Sequence, residues 1–145
     1  MENKNRFYYN KSFLGSPDGR PIRILAEYFG PIHKIKKSKI KDTIVFFGSA
    51  RTEEKQQIYK STESLSYKLT KWSINLKDKK RRFIITSGGG PGIMEAANKG
   101  ASKAGGITMG LGITLPFEQE NNKWISKELD FSFHYFLIYF SCNRN

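Results

Sequence analysis

Cys142 is the one cysteine in 145 residues, so no intrachain disulfide forms within this chain. The two histidines, His33 and His134, have no metal-ligand spacing with it or with each other, and no metal site is expected. Acidic residues are scarce: 13 Asp and Glu stand against 25 Lys and Arg, a formal net charge of +12. Long apolar runs are missing too. The longest, Phe131 to Phe140, falls well short of the roughly 20 residues that span a bilayer, so no membrane partner is expected. The opening Met1-Glu2-Asn3-Lys4-Asn5 leads into aromatics rather than an apolar core and a small-residue cleavage site. A secretory signal is therefore not expected, and the cytoplasm is the expected location.

What remains is sufficient for one folded domain: 38% of residues are hydrophobic and 14% aromatic. The positive charge is concentrated in two runs, His33 to Lys41 and Lys77 to Arg82, each placed at a helix end or in a loop before a strand. Lysines near a helix C-terminus meet its negative dipole end, so a solvated basic surface is favoured over a nucleic-acid patch, which stays as the alternative.

The polar lead-in closes at Ser16-Pro17-Asp18-Gly19-Arg20. A short helix is expected from Pro21, with Ile22, Leu25, Ala26 and Phe29 on one face and Gly30-Pro31 as its stop. Thr43 to Phe47 is β-branched and aromatic without polar alternation, the pattern of a strand buried on both faces. Ile58, Thr62, Leu65, Leu69, Trp72 and Leu76 then recur at alternating spacings of about four and three, a helical stripe. A second buried strand, Arg82 to Ser87, runs into Gly88-Gly89-Gly90-Pro91-Gly92, and a second helix follows with Ile93, Ala97, Gly100 or Ala101, and Ala104 on an apolar and small-residue face, ending at Gly105-Gly106. A third strand, Ile107 to Leu115, is broken by Gly110 and Gly112, and the apolar segment Phe131 to Phe140 comes last.

Strand, helix, strand, helix, strand at these lengths implies an α/β fold, a Rossmann-like parallel sheet flanked by helices. Residues 1–41 read as an N-terminal extension and 42–145 as a Rossmann-like nucleotide-binding domain, incomplete at its C-terminus. Ligands of such sheets lie beyond the carboxyl ends of the strands, here the loops Gly48 to Arg51 and Ser87 to Gly92.

Gly88, Gly89, Gly90 and Gly92 let the backbone approach a guest while the helix behind them aims N–H groups at it, so a phosphate is the natural ligand. The spacing fits neither an ATP-hydrolysing P-loop nor the dinucleotide fingerprint. Ser49 could donate its hydroxyl to the same phosphate or close a local turn, and Arg51 could pair with it or face solvent. Glu95 is suited to the first helical turn by the dipole alone, or could contact a ligand. Glu118, in Leu115-Pro116-Phe117-Glu118-Gln119, follows the third strand toward the same crevice or lies in a solvated loop.

The run Ser87 to Ala101, with Phe47-Gly48-Ser49-Ala50-Arg51 before it and Leu115 to Gln119 after it, resembles the LOG family of Rossmann-like proteins, cytokinin riboside 5′-monophosphate phosphoribohydrolases once labelled lysine decarboxylases. Ser16 to Tyr28 resembles the N-terminal extension of its longer bacterial branch. The resemblance implies hydrolysis of the N-glycosidic bond of a nucleoside 5′-monophosphate to free base and ribose 5-phosphate, with no cofactor, a phosphate anchor at Ser49 and Gly88 to Gly92, and Glu118 as a substrate-contacting glutamate. It also implies association into homo-oligomers. The family's Arg-Lys pair and its later Pro-Gly-Gly-x-Gly-Thr-x-x-Glu motif, which carries the catalytic glutamate, are absent, so no catalytic residue is assigned. The expectation is a truncated or frame-disrupted copy, weakly active or inactive, whose Phe131 to Phe140 segment is poorly covered. The alternative is a non-catalytic nucleotide- or nucleic-acid-binding module.

Overall fold

The computed structural model describes residues 6–114 and 120–135. Four strands, β1 (Thr43–Phe46), β2 (Ile84–Ser87), β3 (Thr108–Ile113) and β4 (Asp130–Phe133), form one parallel sheet in the order β1-β2-β3-β4. Val45 pairs with Thr86, Thr86 with Met109, and Leu111 with Phe131. Each strand steps in the same direction, so right-handed crossovers place α3 (Gln57–Asn75) and α4 (Ile93–Lys103) together on one face. There Ile85, Ala97 and Ala101 form a core with Ile44, Phe46 and Leu69. On the opposite face Met109, Leu129, Phe131 and Phe133 pack with Ile35 and Ile40. The Rossmann-like α/β fold expected from the sequence is the fold observed.

A short helix α1 (Lys11–Gly15) leads to α2 (Arg20–Lys37), which does not stop at Gly30-Pro31. An internal proline loses a hydrogen bond to the carbonyl four residues back. The helix continues nonetheless, because Pro31 itself is buried and Ile35, one turn further on, packs against the Phe131 and Phe133 cluster. The expected apolar face is also reversed. Ile22, Leu25, Ala26 and Phe29 are exposed, while Arg23 and Glu27 hold the chain after β4. The Glu27 carboxylate accepts from the backbone N–H groups of His134 and Tyr135, and Arg23 Nε donates to the Tyr135 hydroxyl at 3.2 Å.

Three further expectations are corrected. β1 is an edge strand, not one buried on both faces: Ile44 and Phe46 reach the α4 side, whereas Val45 points to the other side and is 48% exposed. β3 is continuous through Gly110 and Gly112. A Cβ at Gly110 would lie 2.2 Å from Ile125 Cδ1, and one at Gly112 2.0 Å from Asn121 Oδ1, so these glycines admit the segment that crosses the sheet rather than break the strand. Phe131 and Phe133 are buried, because α2 covers them; residues 136–140 of that apolar segment lie outside the described residues.

The helix expected over Ile58 to Leu76 is α3, and Thr62 and Leu69 of the expected stripe face the core, but the rest of that face is turned. Tyr59, Thr62, Ser66 and Thr70 are buried, while Ile58, Leu65 and Trp72 are about half exposed. Close approach to α4 is the cause: a Cβ on Gly100 would lie 2.2 Å from the Glu63 carbonyl, and the Ser66 hydroxyl donates to the Ala97 carbonyl at 2.5 Å. Only small side chains fit between helices that near.

Candidate functional site

At the carboxyl ends of β1 and β2 the two expected loops meet. The Ser49 carbonyl accepts from Ile93 N–H at 3.1 Å, which ties the β1 loop to the start of α4. Gly92 caps that helix at φ 70° and ψ −128°, a backbone region open essentially to glycine, and a Cβ there would sit 2.3 Å from the Ser49 carbonyl oxygen. A Cβ on Gly48 would meet Ile93 at 2.4 Å. The glycines are thus required by loop-to-loop contact as well as by any ligand.

The structure brings Ser49 and Gly92 together, and the turn reading of Ser49 holds in part: its hydroxyl oxygen accepts from Arg51 N–H at 3.1 Å, leaving the hydroxyl hydrogen free to donate. Arg51 is exposed and in no ion pair among the described residues. Gly88 and Gly90 lie beneath the Met94 thioether, with each Cβ position 2.9 Å from it. Gly89, at φ 79°, uses its N–H on the Ser87 hydroxyl at 3.1 Å. Along α4, Ile93 N–H is occupied, whereas the N–H groups of Met94 and Glu95 take no acceptor among the described residues. Glu95 is half-buried in that first turn. Glu118 lies outside the described residues.

Three asparagines went unnoticed in the sequence and organise this loop. Asn98 is fully buried: its Oδ1 accepts from the Ser87 hydroxyl at 2.5 Å and from Asn122 Nδ2 at 3.0 Å, and its Nδ2 donates to Thr108 Oγ1 at 2.5 Å. Asn122 Nδ2 also donates to the Gly89 and Gly90 carbonyls at 2.9 and 3.1 Å, and its backbone N–H to Gly89 O at 2.7 Å. Asn121 fills the space that Gly89 and Gly112 leave open and donates to Asp130 and to the Phe131 carbonyl. The Gly89 and Gly90 carbonyls are thus both held by Asn122. A polar Asn98 within the small-residue run Ala96-Ala97-Asn98 was the available signal, since a buried amide needs dedicated partners.

A charged cluster flanks the site. Lys99 Nζ lies 3.0 Å from Glu54 Oε1 and 3.8 Å from Glu63 Oε2, and rides over the rings of Tyr59 and Trp124. The hydrogen bond to Lys99 holds the Glu54 carboxyl below the usual carboxylate range, and the same bond raises Lys99. Burial, then the nearby carboxylates of Glu95 and Glu54, push the Tyr59 phenol above its ordinary value, so its protonated hydroxyl donates to Glu54 at 3.3 Å. No helix among the described residues is long and apolar enough to cross a membrane.

A comparison with curated proteins finds no match. Among protein families, residues 41–133 match the SLOG cluster4 family, a span running from before β1 through β4 and containing both loops. That span exceeds half of the chain, and with the parallel sheet and glycine loop already described it shows that the chain belongs to the SLOG cluster4 family.

Proposed function

We propose that the chain binds a nucleoside 5′-monophosphate, its phosphate seated on the loop from Gly88 to Gly92 and the first turn of α4, with the Ser49 hydroxyl donating from the β1 side. The observation that carries this reading is the pair of unused N–H groups on Met94 and Glu95 behind a loop whose carbonyls are held by Asn122. Donors fixed in advance bind an anion without the cost of ordering them. SLOG membership supports nucleotide binding in general. The narrower reaction, hydrolysis of the N-glycosidic bond to free base and ribose 5-phosphate, rests on the likeness of Ser87 to Ala101 to the LOG family. It needs carboxylates over the ribose to stabilise an oxocarbenium-like transition state. The proposal takes Glu95 as one such carboxylate and assigns no catalytic residue, and so expects binding with little or no turnover.

Amide chemical shifts followed during titration with AMP test the reading. Saturable shifts confined to Gly88 through Glu95 and Ser49 are expected; a flat response there would sink the phosphate seat. Release of ribose 5-phosphate from AMP or CMP, assayed in parallel, is expected at or near the buffer rate, and robust turnover would overturn the second half of the proposal.

A further inference from the structure

The opposite pole of the sheet gathers what the sequence keeps apart. The basic runs His33 to Lys41 and Lys77 to Arg82 are joined there by a parallel bridge between Ile40 and Arg81, with Lys41 N–H donating to Arg81 O and Arg81 N–H to Lys39 O, both at 2.9 Å. Lys34, Lys36 and Lys37 close α2 beside them. Asp42 and Asp78 both engage Arg82, at 2.8 and 3.2 Å. Lys39, Lys41, Lys77, Lys79, Lys80 and Arg81 carry no ion pair among the described residues. Asp42 and Asp78 balance only part of this charge, and an external polyanion relieves the repulsion that remains.

The pole is also concave. A basin of about 300 Å³ opens there, walled by Ile74, Lys77, Lys80, Phe83 and Ile107, and floored in part by Thr70. Thr70 is 5% exposed and its hydroxyl oxygen meets no hydrogen-bond partner among the described residues. Among the described residues the non-glycine residues at positive φ are Lys39, Lys77 and Phe83, all at this pole and two of them lining the basin. Phe83 packs tilted against Trp72, with ring centroids 4.9 Å apart, and the Arg82 guanidinium lies 4.7 Å from its ring centre.

We infer that this pole binds single-stranded nucleic acid, with the phosphodiester backbone following the two joined basic runs and one nucleotide entering the basin beside Phe83. Lysines and arginines along a track supply the salt-dependent attraction, and the apolar wall of Ile74, Phe83 and Ile107 supplies a surface against which an unpaired base packs. A duplex keeps its bases inside and would engage the lysines alone. The basin is of the size that holds one small ligand, and it lies at the far end of the strands from the glycine loop.

Fluorescence anisotropy of a labelled oligo-dT of about 12 nucleotides, measured across a salt series, tests this. Each phosphate contact on a single strand contributes roughly 0.7 to the log–log salt slope. The variant Lys79→Ala/Lys80→Ala/Arg81→Ala is therefore expected to bind about tenfold or more weakly, with the slope reduced by about 2. Lys11→Ala/Lys60→Ala/Lys68→Ala removes the same charge elsewhere and is expected to change affinity by less than about twofold. Ile74→Glu, which sets a carboxylate on the exposed wall of the basin, is expected to weaken binding about threefold or more with an unchanged circular dichroism spectrum. Equal weakening by the two triple variants would reduce the attraction to net charge and overturn the site. So would duplex binding as tight as that of the strand, wild-type affinity in Ile74→Glu, or displacement of the oligonucleotide by AMP, which would move it to the glycine loop.

Discussion

Asn98 and Asn122 meet 3.0 Å apart beneath the glycine loop, one from the middle of α4 and the other from the segment that crosses back toward β4. Through this contact the loop conformation depends on residues after β3 as well as on its own glycines. The Asn98 amide satisfies Ser87, Thr108 and Asn122 at once, so it joins β2, β3 and the crossing segment at the point where a phosphate would sit.

Asn98→Ala leaves the Ser87 and Thr108 hydroxyls and the Asn122 amide without this partner in a buried site. Unsatisfied buried polar groups cost about 1–3 kcal/mol each, and partial relaxation should bring the total to roughly 3 kcal/mol, read as a lower urea midpoint. Asn122→Ala is part-exposed and should cost only about 1 kcal/mol. Its larger effect is expected on AMP binding, weakened severalfold in calorimetric titration as Gly89 and Gly90 lose their anchor.

Gly92 and Gly105 both have positive φ, 70° and 78°, but their surroundings differ. A Cβ at Gly92 collides with the Ser49 carbonyl, whereas one at Gly105 meets nothing within 4 Å. Gly92→Ala is therefore expected to cost roughly 3 kcal/mol or more and to separate the two loops, while Gly105→Ala should cost only about 1 kcal/mol, the strain of a left-handed cap. Comparing their thermal midpoints checks the difference, and equal losses would contradict the Gly92 to Ser49 contact.

These positions show what the sequence disclosed. The triglycine bend and the strand–helix alternation were readable because they are local: glycine runs and apolar spacing carry their meaning within a few residues. The faces of the helices were not. In α3 the apolar side chains Ile58, Leu65 and Trp72 sit off the core that Leu69 reaches, because Gly100 and Ala97 of α4 come close enough to demand the small Ser66 between them. The Asn98 to Asn122 pair was equally hidden, since asparagine has no periodic signature and the partners are far apart in the chain. The two basic runs were visible separately, but only the bridge between Ile40 and Arg81 shows that they form one surface.

The Lys99 cluster predicts a defined pH response. Glu54 is held below the usual carboxylate range by Lys99, so its contribution to stability is present above the unfolded pKa and is lost as pH falls through the lower folded value. Lys99, raised by Glu54, and Tyr59, raised by burial, contribute below their unfolded pKa values and lose that contribution as pH rises through the folded ones. Glu54→Gln is expected to flatten the fall of the urea midpoint between about pH 5 and 3 while leaving a neutral-pH midpoint close to wild type, because an exposed pair contributes little. An unchanged acid limb would show that Glu54 is not coupled to Lys99.

Gly30→Ala distinguishes the continuous helix from the interrupted one that the sequence suggested. Gly30 lies mid-way along α2, and a Cβ there would meet nothing within 4 Å. Within an uninterrupted helix alanine is favoured over glycine by about 1 kcal/mol, chiefly because glycine has more backbone freedom to lose. The substitution should therefore raise the thermal midpoint by several degrees. Were the helix to end at Gly30, glycine would occupy the terminal position where its left-handed conformation is useful, and alanine would lower the midpoint instead. Glu27→Ala is the companion measurement. It removes the carboxylate that accepts from His134 and Tyr135, and so should destabilise by roughly 1–3 kcal/mol if α2 is fastened to the chain beyond β4 as described.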